Sequence, residues 1–102
     1  MNKIFIDANF FIYLNAQEPE QRKLYNNFYS KLSEKYGLYT NVLVLDELIF
    51  VSKKKYNIPY NATTDLIEND ILPYVAILDI TANEYKKAKQ ELQFQILCVK
   101  NS

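Results

Sequence analysis

An α/β fold built on a parallel sheet is what this sequence predicts, from three observations. Short apolar runs, Ile4-Phe5-Ile6, Leu38-Tyr39-Thr40 and Val75-Ala76-Ile77-Leu78, stand far apart in the chain. The segments between them carry apolar residues at helical spacing. The resulting order, strand-helix-helix-strand-helix-helix-strand-helix, calls for parallel strands joined by right-handed crossovers. A length of 102 residues implies one domain, 1–102. No internal repeat, low-complexity tract or linker divides it.

Residues 3–7 read as the first strand, and 9–15 as a short helix ended by the polar stretch Asn15 to Pro19. Pro19 opens the next helix, where its missing N–H costs nothing. Leu24, Phe28 and Leu32 recur at i, i+4, i+8, with Tyr25, Tyr29 and Tyr36 beside them, which predicts an amphipathic helix over 20–36. Gly37 reads as its C-cap. Leu38-Tyr39-Thr40 is the second strand, and Asn41 the N-cap of an apolar helix from Val42 to Tyr56. Lys53-Lys54-Lys55 sits at its C-terminal end, where positive charge suits the helix dipole. After the loop 57–60, Asn61 reads as the cap of a helix reaching Leu72, stopped by Pro73. Residues 75–78 form the third strand, with Asp79 at its end. Thr81 and Glu84 form a capping box for a last helix. Tyr85, Ala88, Leu92 and Ile96 give that helix its apolar stripe.

Composition narrows the chemistry. With 49% hydrophobic and 15% aromatic residues, disorder is excluded as a reading. No apolar stretch approaches the roughly 20 residues of a membrane span. The N-terminus lacks the pattern of a secretion signal, so a cytoplasmic protein with no membrane partner is expected. There is no histidine, which removes Ser-His-Asp and Cys-His nucleophiles, His-bound zinc and the usual general base. One glycine cannot build a Walker loop or a Rossmann fingerprint. One cysteine, Cys98, forms no internal disulfide and no Cys-based zinc site, and reads as a small buried hydrophobe. Net charge is zero, so any nucleic-acid binding must rest on local patches.

What remains is carboxylate, lysine, tyrosine and metal. Asp7 ends the first strand, where open α/β sheets place their ligand crevice. It can cap the following helix, hold a hard metal ion, or do both. Asn9 is either a first-turn polar residue or a holder of Asp7 or a water. Glu47 lies in a helix apolar nearly all round, which reads as a buried helix. An unpaired buried charge is costly, so Glu47 is a metal-ligand candidate; otherwise it reaches solvent or pairs with a lysine. Asp46 faces water or pairs with Lys53. Thr40 and Asn41 end the second strand beside the expected crevice, although turn and cap chemistry accounts for both. Lys53, Lys54 and Lys55 are a solvated helix end or an RNA contact. The nine tyrosines are spaced as core and boundary residues.

Ile4-Phe5-Ile6-Asp7-Ala8-Asn9-Phe10-Phe11-Ile12-Tyr13 resembles the opening motif of PIN domains, an acid followed two residues later by Asn. Tyr39-Thr40-Asn41-Val42-Leu43-Val44-Leu45-Asp46-Glu47-Leu48 is similar to their second motif, a strand-end Thr and then a helix carrying the second acid. Lys53-Lys54-Lys55-Tyr56 and the segment 77–92 resemble the archaeal, VapC-like branch. The resemblance implies a three-layer α/β/α fold with a parallel sheet and a magnesium- or manganese-dependent endoribonuclease. Many such proteins are toxins of toxin–antitoxin pairs, so it also implies RNA as substrate and an antitoxin protein as partner. Asp7 and Glu47 would be catalytic and metal-holding, with Asn9 and Thr40 supporting them.

The family's third acid follows the helix corresponding to 82–92, and this chain reads Leu97-Cys98-Val99-Lys100-Asn101-Ser102 at that point. A C-terminally shortened domain, lacking the last elements and later acids, is therefore the expectation. It brings weakly held metal and slow or absent RNA cleavage. The alternative is a catalytically impaired PIN-like remnant that acts by binding or oligomerising. Without the last elements the first strand would be an exposed edge, which predicts a homodimer or higher homo-oligomer.

Overall fold

The computed structural model describes residues 2–78 and the backbone of 95–97. The elements are β1 (Lys3–Ile6), α1 (Ala8–Ala16), α2 (Pro19–Lys35), β2 (Gly37–Asn41), α3 (Val42–Tyr56) and α4 (Tyr60–Leu66). A π-helical turn (Ile67–Ile71), β3 (Val75–Leu78) and β4 (Gln95–Leu97) follow. The fold is α/β, with one parallel sheet in the order β3-β2-β1-β4. No helix among the described residues is long and apolar enough to cross a membrane.

β1 lies inside the sheet. It pairs with β2 through Ile4–Leu38 and Phe5–Tyr39, and with β4 through Ile4–Gln95, Phe5–Ile96 and Ile6–Leu97. Ile4, Phe5 and Ile6 are consecutive and all buried. That is the pattern of a strand covered on both faces, which a parallel sheet requires. The expected bare edge at β1 is thus overturned: β4 occupies it, and the expected homo-oligomer loses its stated ground. The sequence reading placed no strand over 95–97, and β4 stands there beside β1. Ile96 belongs to β4 rather than to the stripe of a last helix. Asp79, Thr81, Glu84, Tyr85, Ala88, Leu92 and Cys98, with the rest of that helix reading, lie outside the described residues.

The helix buried on nearly every side is α1, not α3. Ala8, Phe10, Phe11, Ile12 and Leu14 are all buried. Phe10 packs edge-on or tilted against Phe11, Tyr25, Phe28 and Tyr29 at ring separations of 5.9–6.1 Å. Tyr25, Phe28 and Tyr29 are the tyrosine and phenylalanine stripe of α2, and Phe11 is a neighbour within α1. Of α2 only Tyr29 and Leu32 are buried, and Leu24 stays 70% exposed.

Local capping explains most boundaries. Asp7 caps α1 by accepting from the Ala8 amide at 2.7 Å. Asn41 caps α3 by accepting from the Val44 amide at 2.9 Å. Gly37 is no C-cap: its φ is not positive, and it opens β2 with its amide donating to the Asn2 carbonyl at 2.9 Å. The left-handed C-cap is Asn57 at the end of α3, with φ of 56°. Asparagine tolerates that region better than other non-glycine residues. Asn61 lies inside α4, whose N-cap is Pro59.

A polar knot ties the helices together. Asn15 donates through Nδ2 to Ser52 Oγ at 3.0 Å and to Thr63 Oγ1 at 2.9 Å. Ser52 and Thr63 are fully buried. One amide at the end of α1 therefore satisfies hydroxyls of α3 and α4 that would otherwise be buried at a cost. The bond also fixes direction. α1 and α3 start at neighbouring strand ends, and Asn15 meets Ser52, so the two helices run side by side.

Candidate metal and nucleic-acid site

The site begins with the ends of two adjacent parallel strands. The β1–β2 register, continued past Phe5–Tyr39, sets Ile6 beside Thr40 and Asp7 beside Asn41. Thr40 is fully buried and its Oγ1 donates to the Ile6 carbonyl at 3.0 Å. This bond closes the gap between the strands where the chain turns into α1 on one side and α3 on the other. The two helix N-termini are thereby held together, and their unpaired N–H groups give that end of the sheet a positive field.

Asp7 stands in this field, half-buried. Its Oδ1 is taken by the Ala8 amide, which fixes the carboxylate's orientation. Its other oxygen has no hydrogen-bond partner among the described residues. Cap and ligand are therefore compatible roles for one side chain. Asn9 is exposed in the first turn of α1.

Glu47 is exposed, not buried as the apolar run around it suggested. The α3 helix has two faces. Val44, Leu48 and Ser52 point inward, while Leu43, Glu47, Phe50 and Lys54 share the opposite face. Leu43 is 55% and Phe50 60% exposed. Glu47 stands six residues beyond the Asn41 cap, about 9 Å along the axis from the strand end. The structure thus brings Asp7, Thr40 and the N-terminus of α3 together, with Glu47 further along the helix. Asp46 is exposed. Its suggested partner Lys53 instead lies over the Tyr60 ring, 5.7 Å from the centroid.

Lys53, Lys54 and Lys55 are all exposed and lie at the far end of α3, about 18 Å or more from its cap. Each meets an aromatic ring: Lys53 meets Tyr60, Lys54 meets Phe50 at 5.3 Å, and Lys55 meets Tyr56 at 5.5 Å. Sequence reasoning did not connect these lysines to rings. The signal available was i, i+4 spacing for Phe50 and Lys54.

The donor set at the sheet end is carboxylate oxygen. Magnesium suits it, because that ion keeps several waters and is commonly held by one or two carboxylates completed by substrate phosphates. Among the described residues no group of three or more acidic, histidine or cysteine side chains gathers in metal-binding range.

No curated protein matches the chain. The family model described as PIN domain matches residues 4–92, which spans both acids, Thr40 and most of the sheet. That family is in general of nuclease type, RNA-binding and dependent on divalent metal ions. On the sequence match and on the parallel α/β architecture, this chain belongs to the PIN domain family.

Proposed function

We propose that the chain is a PIN-type, magnesium- or manganese-dependent endoribonuclease, in which Asp7 and Glu47 hold the metal. The observation that carries this is the Thr40–Ile6 hydrogen bond, which locks the N-termini of α1 and α3 side by side with Asp7 between them. A divalent ion, when bound, supplies an acidified water and neutralises charge on the scissile phosphate. The protein's own part is placement. Asp7 offers the carboxylate oxygen that its cap bond leaves over. Glu47 contributes an exposed carboxylate from α3. Thr40 acts at one remove, by fixing the strand ends, since its hydroxyl is spent on Ile6. Asn9 supports the same end from the first turn of α1. The two helix N-termini favour an approaching phosphate.

The finer assignment belongs to the same proposal: a VapC-like toxin, restrained by an antitoxin protein. It rests on the likeness of Tyr39–Leu48, Lys53–Tyr56 and 77–92 to that branch. With two acids assigned to the site among the described residues, cleavage is expected to be slow.

The test is cleavage of a labelled single-stranded RNA by the purified chain in magnesium or manganese. Metal-dependent cleavage lost in both Asp7→Asn and Glu47→Gln supports the reading. Cleavage that survives both substitutions, or that ignores chelation, removes these residues from the chemistry.

A further inference from the structure

The outer face of α3 carries a feature that the acid site does not use. Phe50 is 60% and Tyr60 59% exposed, both large aromatics left in water at a folding cost. Each is covered on one side by a lysine ammonium, Lys54 at 5.3 Å and Lys53 at 5.7 Å from the ring centroids. Residues 48–64 contain Lys53, Lys54 and Lys55 and no acid, within a chain of zero net charge. Leu43, Glu47, Phe50 and Lys54 follow one another at i, i+4, i+7 and i+11, so they form one line along the helix. Lys54 lies seven residues past Glu47, about 10 Å along the axis.

We infer that this face of α3, continued by Tyr60 at the start of α4, is a track for single-stranded RNA that leads to Glu47. Phe50 and Tyr60 stack bases, and Lys53 and Lys54 hold the phosphates between them. The occupant is chosen by charge and shape together. An exposed ring beside a cation matches a base beside its phosphate, whereas a duplex hides its base faces and offers nothing to stack. A protein partner docking on Leu43 and Phe50 would gain nothing from the local excess of positive charge unless it were acidic. The choice of RNA as ligand rests on the ribonuclease reading; the track itself does not require cleavage.

The experiment measures binding, without metal and with chelator, so that chemistry does not enter. The probe is a fluorescent single-stranded RNA decamer, with a duplex of the same length as comparison, followed by anisotropy across a range of salt. The full chain should bind the single strand more tightly than the duplex. Phe50→Ala and Tyr60→Ala should each weaken single-strand binding about fivefold or more, the lower end of what one lost stacking contact costs. Lys53→Gln with Lys54→Gln should reduce the salt dependence, by about 0.7 in log–log slope for each lysine removed. All four positions are exposed, and circular dichroism confirms that each variant is folded.

Binding of the decamer that none of these substitutions changes overturns the track, while metal-dependent cleavage lost in Asp7→Asn would leave the nuclease reading standing. Absence of binding by the folded wild-type chain also overturns it. Loss of self-association in Phe50→Ala, with RNA affinity unchanged, assigns the face to a second copy instead. Binding that depends on the track in a chain that cleaves nothing upholds the track and counts against the enzyme.

Discussion

Asp7, Thr40 and Asn41 each spend a side-chain atom on a neighbouring backbone group, and these bonds set the shape of the sheet's C-terminal end. Asn41 is nearly fully buried, so its cap bond is shielded from water. Asn41→Ala should therefore cost about 1–2 kcal/mol in denaturant unfolding, the upper half of the usual range for a cap. A change near zero would mean that water or a neighbour replaces the asparagine. Tyr29 provides the pH-dependent residue. Its Oη donates to the Asp70 carbonyl at 2.6 Å, and its ring is buried. Burial raises its pKa well above the ordinary value of 10.0, with Asp70 and Tyr74 adding to the effect. In the unfolded chain this tyrosine ionises near its ordinary value; in the folded chain it stays protonated. The folded state then binds more protons, so stability must fall as pH rises above about 10. Tyr29→Phe should lose stability less steeply in that alkaline range than the wild type. Equal slopes for the two proteins would show that another group controls alkaline unfolding.

Among elements, the contact most open to measurement is the Asn15 knot that holds α1, α3 and α4 together. Asn15→Ala removes two hydrogen bonds and leaves Ser52 and Thr63 with buried hydroxyls. Those hydroxyls can turn back to their own helix carbonyls, which limits the damage. A loss of about 1–3 kcal/mol is expected. Adding Ser52→Ala and Thr63→Val to Asn15→Ala should cost less than the sum of the single changes, because the three residues act as one network. Strict additivity would deny the network. At this scale the sequence was legible where chemistry is local. Asp7 and Asn41 declared their caps, and the runs 3–6 and 75–78 their strands. It was misleading where tertiary surroundings decide. The helices α1 and α3 are both apolar, and only the packing of α2 across Phe10 makes α1 the enclosed one, leaving Glu47 in water. Gly37 invited a C-cap for α2, but α2 ends at Tyr36 in extended backbone, and the left-handed cap, Asn57, closes α3. Ile96 fits a helical stripe four residues after Leu92 as well as it fits a strand, and pairing with Phe5 decides for the strand.

For the whole molecule, the central position of β1 matters most. It pairs with a strand of three residues, Gln95–Leu97, which covers its outer side among the described residues. A chain cut after Phe94 would bare the β1 edge, a row of unpaired backbone groups next to three buried apolar residues. Sedimentation should find this shortened form self-associated or insoluble under conditions where the full chain is not. A shortened form that stays monomeric and unfolds as cooperatively as the full chain would mean that β4 contributes little. The family match over 4–92 and the strand order together support the functional reading, and it is the strand order that puts Asp7 at the C-terminal end of β1 and Glu47 on the helix that leaves β2.

The claim that these two acids share one divalent ion is the one on which the functional account depends. Manganese binding to the RNA-free chain, followed by electron paramagnetic resonance of the free ion, measures it directly. The wild type should bind about one manganese ion weakly, magnesium should compete for it, and Asp7→Asn and Glu47→Gln should each weaken binding by a similar factor. Binding that either substitution leaves unchanged would contradict the shared site, and an affinity lost with Asp7 but indifferent to Glu47 would confine the ion to the strand end alone.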